Sequence, residues 1–225
     1  MGLIVKICGL STPESLDAAL EAGADMVGFV FFPPSPRNLA PAAARELGSQ
    51  SKGRALKVAL TVDADDGLFE AIMDALKPDI LQLHGHECPE RATAVKARFG
   101  LPVMKAIPVE TRADLAAIGR YRGIADRFLF DARAPREATR PGGLGRPFDW
   151  HLLEDVDAGT DYLLSGGLDA GNVAEALAIT GAPGVDVSSG VERRPGEKDP
   201  EKIAAFVKAA REAWKSRTAP VPKRA

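Results

Sequence analysis

The chain has 225 residues, 45% of them hydrophobic and 27% charged, enough apolar material for one sizeable core. Its 29 basic and 31 acidic residues leave a net charge of −2 and are spread along the chain, so the basic footprint that nucleic acid requires is absent. No apolar run approaches the ~18 residues of a membrane span, and the first lysine sits inside the opening apolar stretch rather than before it, unlike a secretory leader. A cytoplasmic protein with no membrane and no nucleic-acid partner is expected, in which Cys8 and Cys88 are free thiols.

Short runs rich in Val, Ile, Leu and Phe alternate with amphipathic stretches. The first run, residues 3–8, leads into a helix over 13–22, started by Thr12-Pro13 and stopped by Gly23. Strand 26–32 precedes helix 40–47, strand 56–62 precedes helix 65–76, and strand 79–84 precedes helix 89–99. Strand 102–107 precedes helix 111–121, and strand 127–131 precedes a short helix over 149–154. Strand 161–165 with helix 170–179, and strand 184–187 with helix 200–215, complete the series. Near-continuous apolar strands alternating with helices predict a parallel sheet buried on both faces. Eight units in residues 1–215 predict an α/β fold closed into a single-domain TIM (β/α)8 barrel. An open doubly wound sheet would carry G-x-G-x-x-G where Cys8-Gly9-Leu10-Ser11 stands. Residues 216–225, rich in Pro and Lys without apolar pattern, are expected to be a disordered tail. Residues 132–147 form an unusually long connection, with four arginines and three prolines around Gly142-Gly143-Leu144-Gly145, and read as a lid.

Side chains alternate along a strand, and barrel active sites sit at the carboxyl ends of the strands. Walking back by twos from each strand end assigns to the lumen Cys8, Lys6 and Ile4; His84, Gln82 and Ile80; Ile107, Lys105 and Val103; Asp131, Leu129 and Arg127; Ser165 and Leu163; and Ser188 and Asp186. The opposite parity, as in Val5, Ile7, Leu81, Leu83, Phe128 and Phe130, is apolar and is expected against the helices. Lys6 and Lys105 sit deeper, either as ion-pair partners of Asp186 or as chemical groups. Polar groups gathered at one end of one cavity favour chemistry over stability, because buried unpaired charge is expensive.

A phosphate site is expected where barrels often have one, after the seventh and eighth strands. There Ser165-Gly166-Gly167-Leu168 and Ser188-Ser189-Gly190 let backbone N–H groups approach an anion. The phosphate-binding residues expected are Gly166, Gly167, Ser188, Ser189 and Gly190. The run His84-Gly85-His86-Glu87-Cys88 looks like metal ligands, but His86 and Cys88 lie past the strand and no second cluster completes a site, so no metal is expected.

Together these residues resemble the phosphoribosylanthranilate isomerase family. The resemblance rests on Lys6-Ile7-Cys8-Gly9, Gly23-Ala24-Asp25 through Gly28-Phe29 with Ser35-Pro36-Arg37, and Gln82-Leu83-His84-Gly85. It continues through Asp131 with Gly142-Gly143-Leu144-Gly145, Ser165-Gly166-Gly167-Leu168 with Asn172-Val173, and residues 184–192. Leu144 departs from the small or hydroxyl residue more usual in the family. The resemblance implies an Amadori rearrangement of a phosphorylated aminosugar in tryptophan biosynthesis, with no metal or organic cofactor. It implies Cys8 as general base, Asp131 as general acid, and Arg37, Gln82, His84 and Asp186 as substrate contacts. Asp131 serves only if it holds a proton near neutral pH, and Cys8 only as thiolate, which a nearby cation favours. A monomer or a homodimer is compatible with the sequence.

The rivals are a pentose-phosphate epimerase, which chelator treatment would expose, an indole-glycerol-phosphate synthase using Lys105 as acid, and a regulatory barrel that binds a phospho-ligand without turnover. A related histidine-pathway isomerase type places aspartates at the ends of strands one and five. Here Cys8 and Ile107 are expected there, which favours the tryptophan reaction alone.

Overall fold

The computed structural model describes residues 2–135, 138, 140–143, 145 and 147–218. Eight parallel strands close into a barrel in chain order, the first pairing with the eighth. They are β1 Ile4–Cys8, β2 Met26–Phe31, β3 Leu56–Thr61, β4 Ile80–Leu83, β5 Val103–Val109, β6 Arg127–Ala132, β7 Tyr162–Leu164 and β8 Gly184–Val187. Outside lie α1 Pro13–Glu21, α2 Pro41–Gln50, α3 Asp66–Leu76, α4 Pro89–Phe99, α5 Ala117–Tyr121, α6 Val173–Thr180 and α7 Pro200–Thr218.

The helices start where local chemistry allows. Thr12 caps α1 with its side chain, reciprocated by Ser15, and Pro13 fills the first helical position, where an N–H would be unsatisfied anyway. Asp65 caps α3 by accepting the Leu68 amide at 2.8 Å.

At the amino end of the barrel one device recurs. Asp25, Asp79 and Asp126 each stand just before an even-numbered strand and accept the amide of Val5, Lys57 and Val103 from the strand before, at 2.7, 2.7 and 2.8 Å. Each of these aspartates also donates its own amide back to that neighbour, to the carbonyls of Val5, Lys57 and Val103. A paired bond at the strand start fixes the register, and a slip by one residue would turn every side chain to the other face.

Two apolar layers result. Val5, Ile7, Leu81, Leu83, Phe128 and Phe130 belong to the layer between strands and helices. Ile4, Met26, Val58, Ile80, Met104, Ala106, Leu129 and Leu163 pack together as the barrel floor.

Several elements differ from the expected ones in kind or extent. The helix expected over 111–121 begins as a 3-10 turn, Arg112–Ala116, before α5. That expected over 149–154 is one 3-10 turn, Trp150–Leu153. The helix after β7 starts at Val173 rather than 170, because Asp169 and Asn172 first close a turn through the Asp169 amide and Asn172 Oδ1 at 2.9 Å. Finally α7 runs to Thr218, taking up three residues of the segment expected as a tail, while residues 219–225 lie outside the described ones.

Candidate active site

The carboxyl ends of the strands open into a mouth lined by Cys8, Arg37, His84, Asp131, Ser165, Gly166, Gly167, Asp186, Ser188 and Ser189. Strand alternation assigned Cys8, His84, Asp131, Ser165, Asp186 and Ser188 there, the phosphate reading added Gly166, Gly167 and Ser189, and Arg37 comes from the connection after β2.

Cys8 ends β1 and is 3% exposed, packed beside Val30 and Leu60. Burial pushes its thiol up, while the Lys6 ammonium draws it back. Across the mouth Asp131 accepts the amide of Ala132 at Oδ1, 2.9 Å, and places Oδ2 3.3 Å from His84 Nε2. The Gln82 amide nitrogen lies 2.9 Å from His84 Nδ1. With that amide donating, Nδ1 accepts, and a neutral His84 carries its proton on Nε2, facing Asp131. Gln82 Oε1 is buried with no partner among the described residues, and Gln82 lies beneath the residues that line the mouth, next to His84.

Arg37 is held by its side edge. Nε and Nη2 donate to Glu192 Oε1 and Oε2 at 2.7 and 2.8 Å, a two-pronged buried ion pair. Lys198 adds a bond to Glu192 Oε1 at 2.8 Å and another to the Ser188 carbonyl at 2.9 Å. Burial would push the Glu192 carboxyl up, but Arg37 and Lys198 outweigh it and hold it below the usual carboxylate range. Glu192 and Lys198 come from a small antiparallel hairpin, β9 Glu192–Arg194 and β10 Glu197–Lys198, that sequence reasoning missed. Its one signal was Pro195-Gly196 between charged residues, a turn dipeptide, with Gly196 at φ 86°.

Pro141, Gly142 and Gly143, from the connection after β6, line this mouth. A Cβ on Gly142 would fall 2.5 Å from Asp131 Oδ2 and 2.9 Å from His84 Nε2, and one on Gly143 would fall 2.7 Å from Arg37 Nη1. Only glycine permits a backbone to lie this close to three functional groups. Leu144, the departure noted above, lies outside the described residues.

Next to Asp131 and Ala132, after β7, Gly166 and Gly167 turn with φ of 83° and 66°. Ser188 Oγ donates to the Cys8 carbonyl at 3.1 Å, which commits its hydroxyl to joining β8 to β1. Gly190 does not line the mouth; its hydrogen side abuts the Leu168 carbonyl, so it lets the two glycine turns meet.

One strand was misread. Lys105 points away from the lumen and bonds Glu87 Oε2 at 3.0 Å and the carbonyls of Leu83 and Gly85 at 3.2 and 2.8 Å. Val103 and Ile107 likewise belong to the outer layer, while Met104 and Ala106 face in. Lys105 therefore neither pairs with Asp186 nor serves as an acid at the mouth. The inward positions of β5 carry no carboxylate, so the comparison with a two-aspartate isomerase stands on Ala106 and its alternate Pro108 rather than on Ile107. Lys6 does pair with Asp186, at 2.7 Å, in the register that sets the two residues side by side on β1 and β8. Asp186 thus has internal partners at both oxygens, Lys6 and, at 3.1 Å, Ser165 Oγ. His86 is 94% exposed and meets Asp63, and among the described residues no three His, Cys, Asp or Glu side chains are grouped to hold a metal ion. No described helix is long and apolar enough to cross a membrane.

Residues 5–209 match the family model described as N-(5'phosphoribosyl)anthranilate (PRA) isomerase. The N-(5'-phosphoribosyl)anthranilate isomerase of Bradyrhizobium diazoefficiens is 67% identical over 211 residues, 94% of this chain and 95% of that protein. The crystal structure of phosphoribosyl anthranilate isomerase from Thermotoga maritima superposes with a TM-score of 0.84 at 34% identity, covering 93% of this chain and 99% of that one. A phosphoribosyl anthranilate isomerase in complex with reduced 1-(o-carboxyphenylamino)-1-deoxyribulose 5-phosphate gives 0.81 at 32% identity, with coverage of 93% and 99%.

Proposed function

The chain belongs to the N-(5'-phosphoribosyl)anthranilate isomerase family, and from that premise we propose that Cys8 and Asp131 are its base and acid. It is an isomerase of tryptophan biosynthesis that converts N-(5-phosphoribosyl)anthranilate to 1-(2-carboxyphenylamino)-1-deoxyribulose 5-phosphate. One observation carries the assignment: a thiol and a carboxyl group share a single mouth, with an arginine and two glycine turns around them.

In the substrate, ring oxygen and anthranilate nitrogen share one carbon, C1. Asp131 gives its proton to the ring oxygen, and the C1–O bond breaks as the nitrogen lone pair forms a C1=N iminium. The new carboxylate meets the Ala132 amide and His84 Nε2, both already in place. The iminium acidifies the hydrogen on C2. The Cys8 thiolate takes it, the C–H pair becomes a C1=C2 bond, and the C=N pair returns to nitrogen. The enol then gives its hydroxyl proton back to Asp131 while the Cys8 thiol delivers its proton to C1, so the ketone forms and both groups return to their starting states.

Arg37 offers the anthranilate carboxylate Nη1, since Glu192 occupies its side edge and the Gly143 carbonyl accepts from Nη2 at 3.4 Å. The phosphate lies between Gly166-Gly167 and Ser188-Ser189, with Gly190 closing the two turns together. Gln82 and His84 set the acid, and Asp186 acts through Lys6. The residues after Asp131 cover the reaction and exclude water. The proposal extends to a cytoplasmic enzyme, monomer or homodimer, acting on a free small molecule.

Freshly made phosphoribosylanthranilate loses its fluorescence on turnover, which gives the assay. Cys8→Ser and Asp131→Asn are each expected to lower kcat by ~100-fold or more. A near-parental rate in either variant refutes that residue's role.

A further inference from the structure

One of the buried ammonium groups, that of Lys6, lies beside the proposed base. Lys6 is fully buried on the inward face of β1, two residues before Cys8. Its Nζ donates to Asp186 Oδ1 at 2.7 Å. Cys8 stands in register with Gly28 of β2. A Cβ on Gly28 would fall 2.9 Å from Cys8 Sγ and 3.1 Å from Lys6 Nζ, so thiol and ammonium converge on the space that the missing side chain leaves.

We propose that Lys6 is a positioning residue for the base: its ammonium, steadied by Asp186, stabilises the Cys8 thiolate, and Gly28 provides the room for the two to approach. The inference rests on the reading of Cys8 as the base.

The charges around the thiol support it. Burial pushes Cys8 up; Lys6 from its own strand opposes that, Asp186 from β8 adds to it, and Lys198 from the hairpin opposes it more weakly. Arg37 packs against the next residue, Gly9, and His84 and Asp131 face Cys8 across the mouth. Lys6 keeps its charge: burial works against it, but Asp186 and Cys8 outweigh burial and hold its proton more firmly than an ordinary lysine's. A lysine that merely neutralised Asp186 would need no opening at Gly28, and a buried pair adds little stability over an apolar pair of the same volume.

The test reads the thiol directly. In a Cys88→Ser background Cys8 is the one remaining cysteine, and its alkylation by a small neutral reagent is followed by mass over about pH 6 to 10. Lys6→Met is expected to slow alkylation at neutral pH ~tenfold or more and to move the profile to higher pH, with kcat falling in parallel and KM within about threefold. Asp186→Asn keeps an acceptor for the ammonium but removes the opposing charge, and is expected to speed alkylation. The double variant Lys6→Met/Asp186→Asn leaves no unpaired buried charge, which protects the fold, and is expected between Lys6→Met and the parent. A profile unmoved by Lys6→Met, or a double variant that is alkylated as fast as Asp186→Asn alone, overturns the proposal and makes Lys6 a counter-ion only. Turnover surviving in Cys8→Ser would defeat the base assignment instead, whatever the alkylation order.

Discussion

Two buried lysines in this barrel carry similar credentials and do different things. Lys6 and Lys105 are 0% and 3% exposed, and each meets a buried carboxylate, at 2.7 Å for Asp186 and 3.0 Å for Glu87. Around Lys105 every neighbour is engaged. Glu87 also accepts the amides of Asp63 and Gly85, the Tyr121 hydroxyl donates to the Glu87 carbonyl, and the Tyr121 ring lies 5.7 Å beneath the ammonium. That closed network pins the connection that follows His84. Around Lys6 a thiol is left over. Burial and pairing alone therefore do not mark a functional charge; an additional reactive neighbour does.

The contrast breaks most easily at its scaffold half. Lys105→Met strands Glu87 as an unpaired buried carboxylate, and urea unfolding should show a loss of about 3–5 kcal/mol while kcat of the folded protein stays within about threefold. A kcat loss with full stability would put Lys105 on the catalytic side and erase the distinction. Arg37 belongs to both halves, since one edge is structural and the other faces the mouth. Arg37→Ala should raise KM by ~tenfold or more, and steady-state kinetics with unchanged KM would contradict the carboxylate contact. Asp79→Ala, at the amino end, removes one amide acceptor and should cost about 1 kcal/mol in thermal or urea unfolding, with kinetics unaltered.

The smallest expected effect concerns pH. The Glu192 carboxyl is held below its unfolded value, so the stability it contributes is present above the unfolded carboxylate range, near pH 4.3, and is lost as pH falls through the folded value. Glu192→Gln should therefore flatten the acid limb of Tm plotted against pH; an identical acid limb would mean that the hairpin pair is not coupled to folding.

The barrel itself was legible because parallel strands buried on both faces read as unbroken apolar runs, and proline and glycine mark the starts and stops of several helices. Alternation also placed Cys8, His84, Asp131 and Asp186 correctly, since each is the polar exception near the end of an apolar strand. The same rule failed on β5. There the polar exception, Lys105, lies on the helix side, and its direction is set by Glu87, a residue of the next connection that periodicity along β5 cannot register. The hairpin escaped for a related reason. Its strands are two and three residues long and mostly charged, so they show no alternation, and their value lies in Arg37, 155 positions earlier. Gly142 and Gly143 could be read only as part of a lid, whereas what requires them is contact with Arg37, His84 and Asp131.

The pairing of Lys6 with Asp186, 180 positions apart, and of Arg37 with Glu192 has a consequence for biosynthesis. Ribosomal synthesis makes the thiol's strand among the first and its counter-charges among the last. A nascent chain released before Asp186 would contain base, acid and lid, yet leave two cations of the interior, Lys6 and Arg37, without anions. Catalytic competence should thus switch on abruptly as the final hairpin emerges, making turnover a sensitive reporter of when the ring of strands has closed.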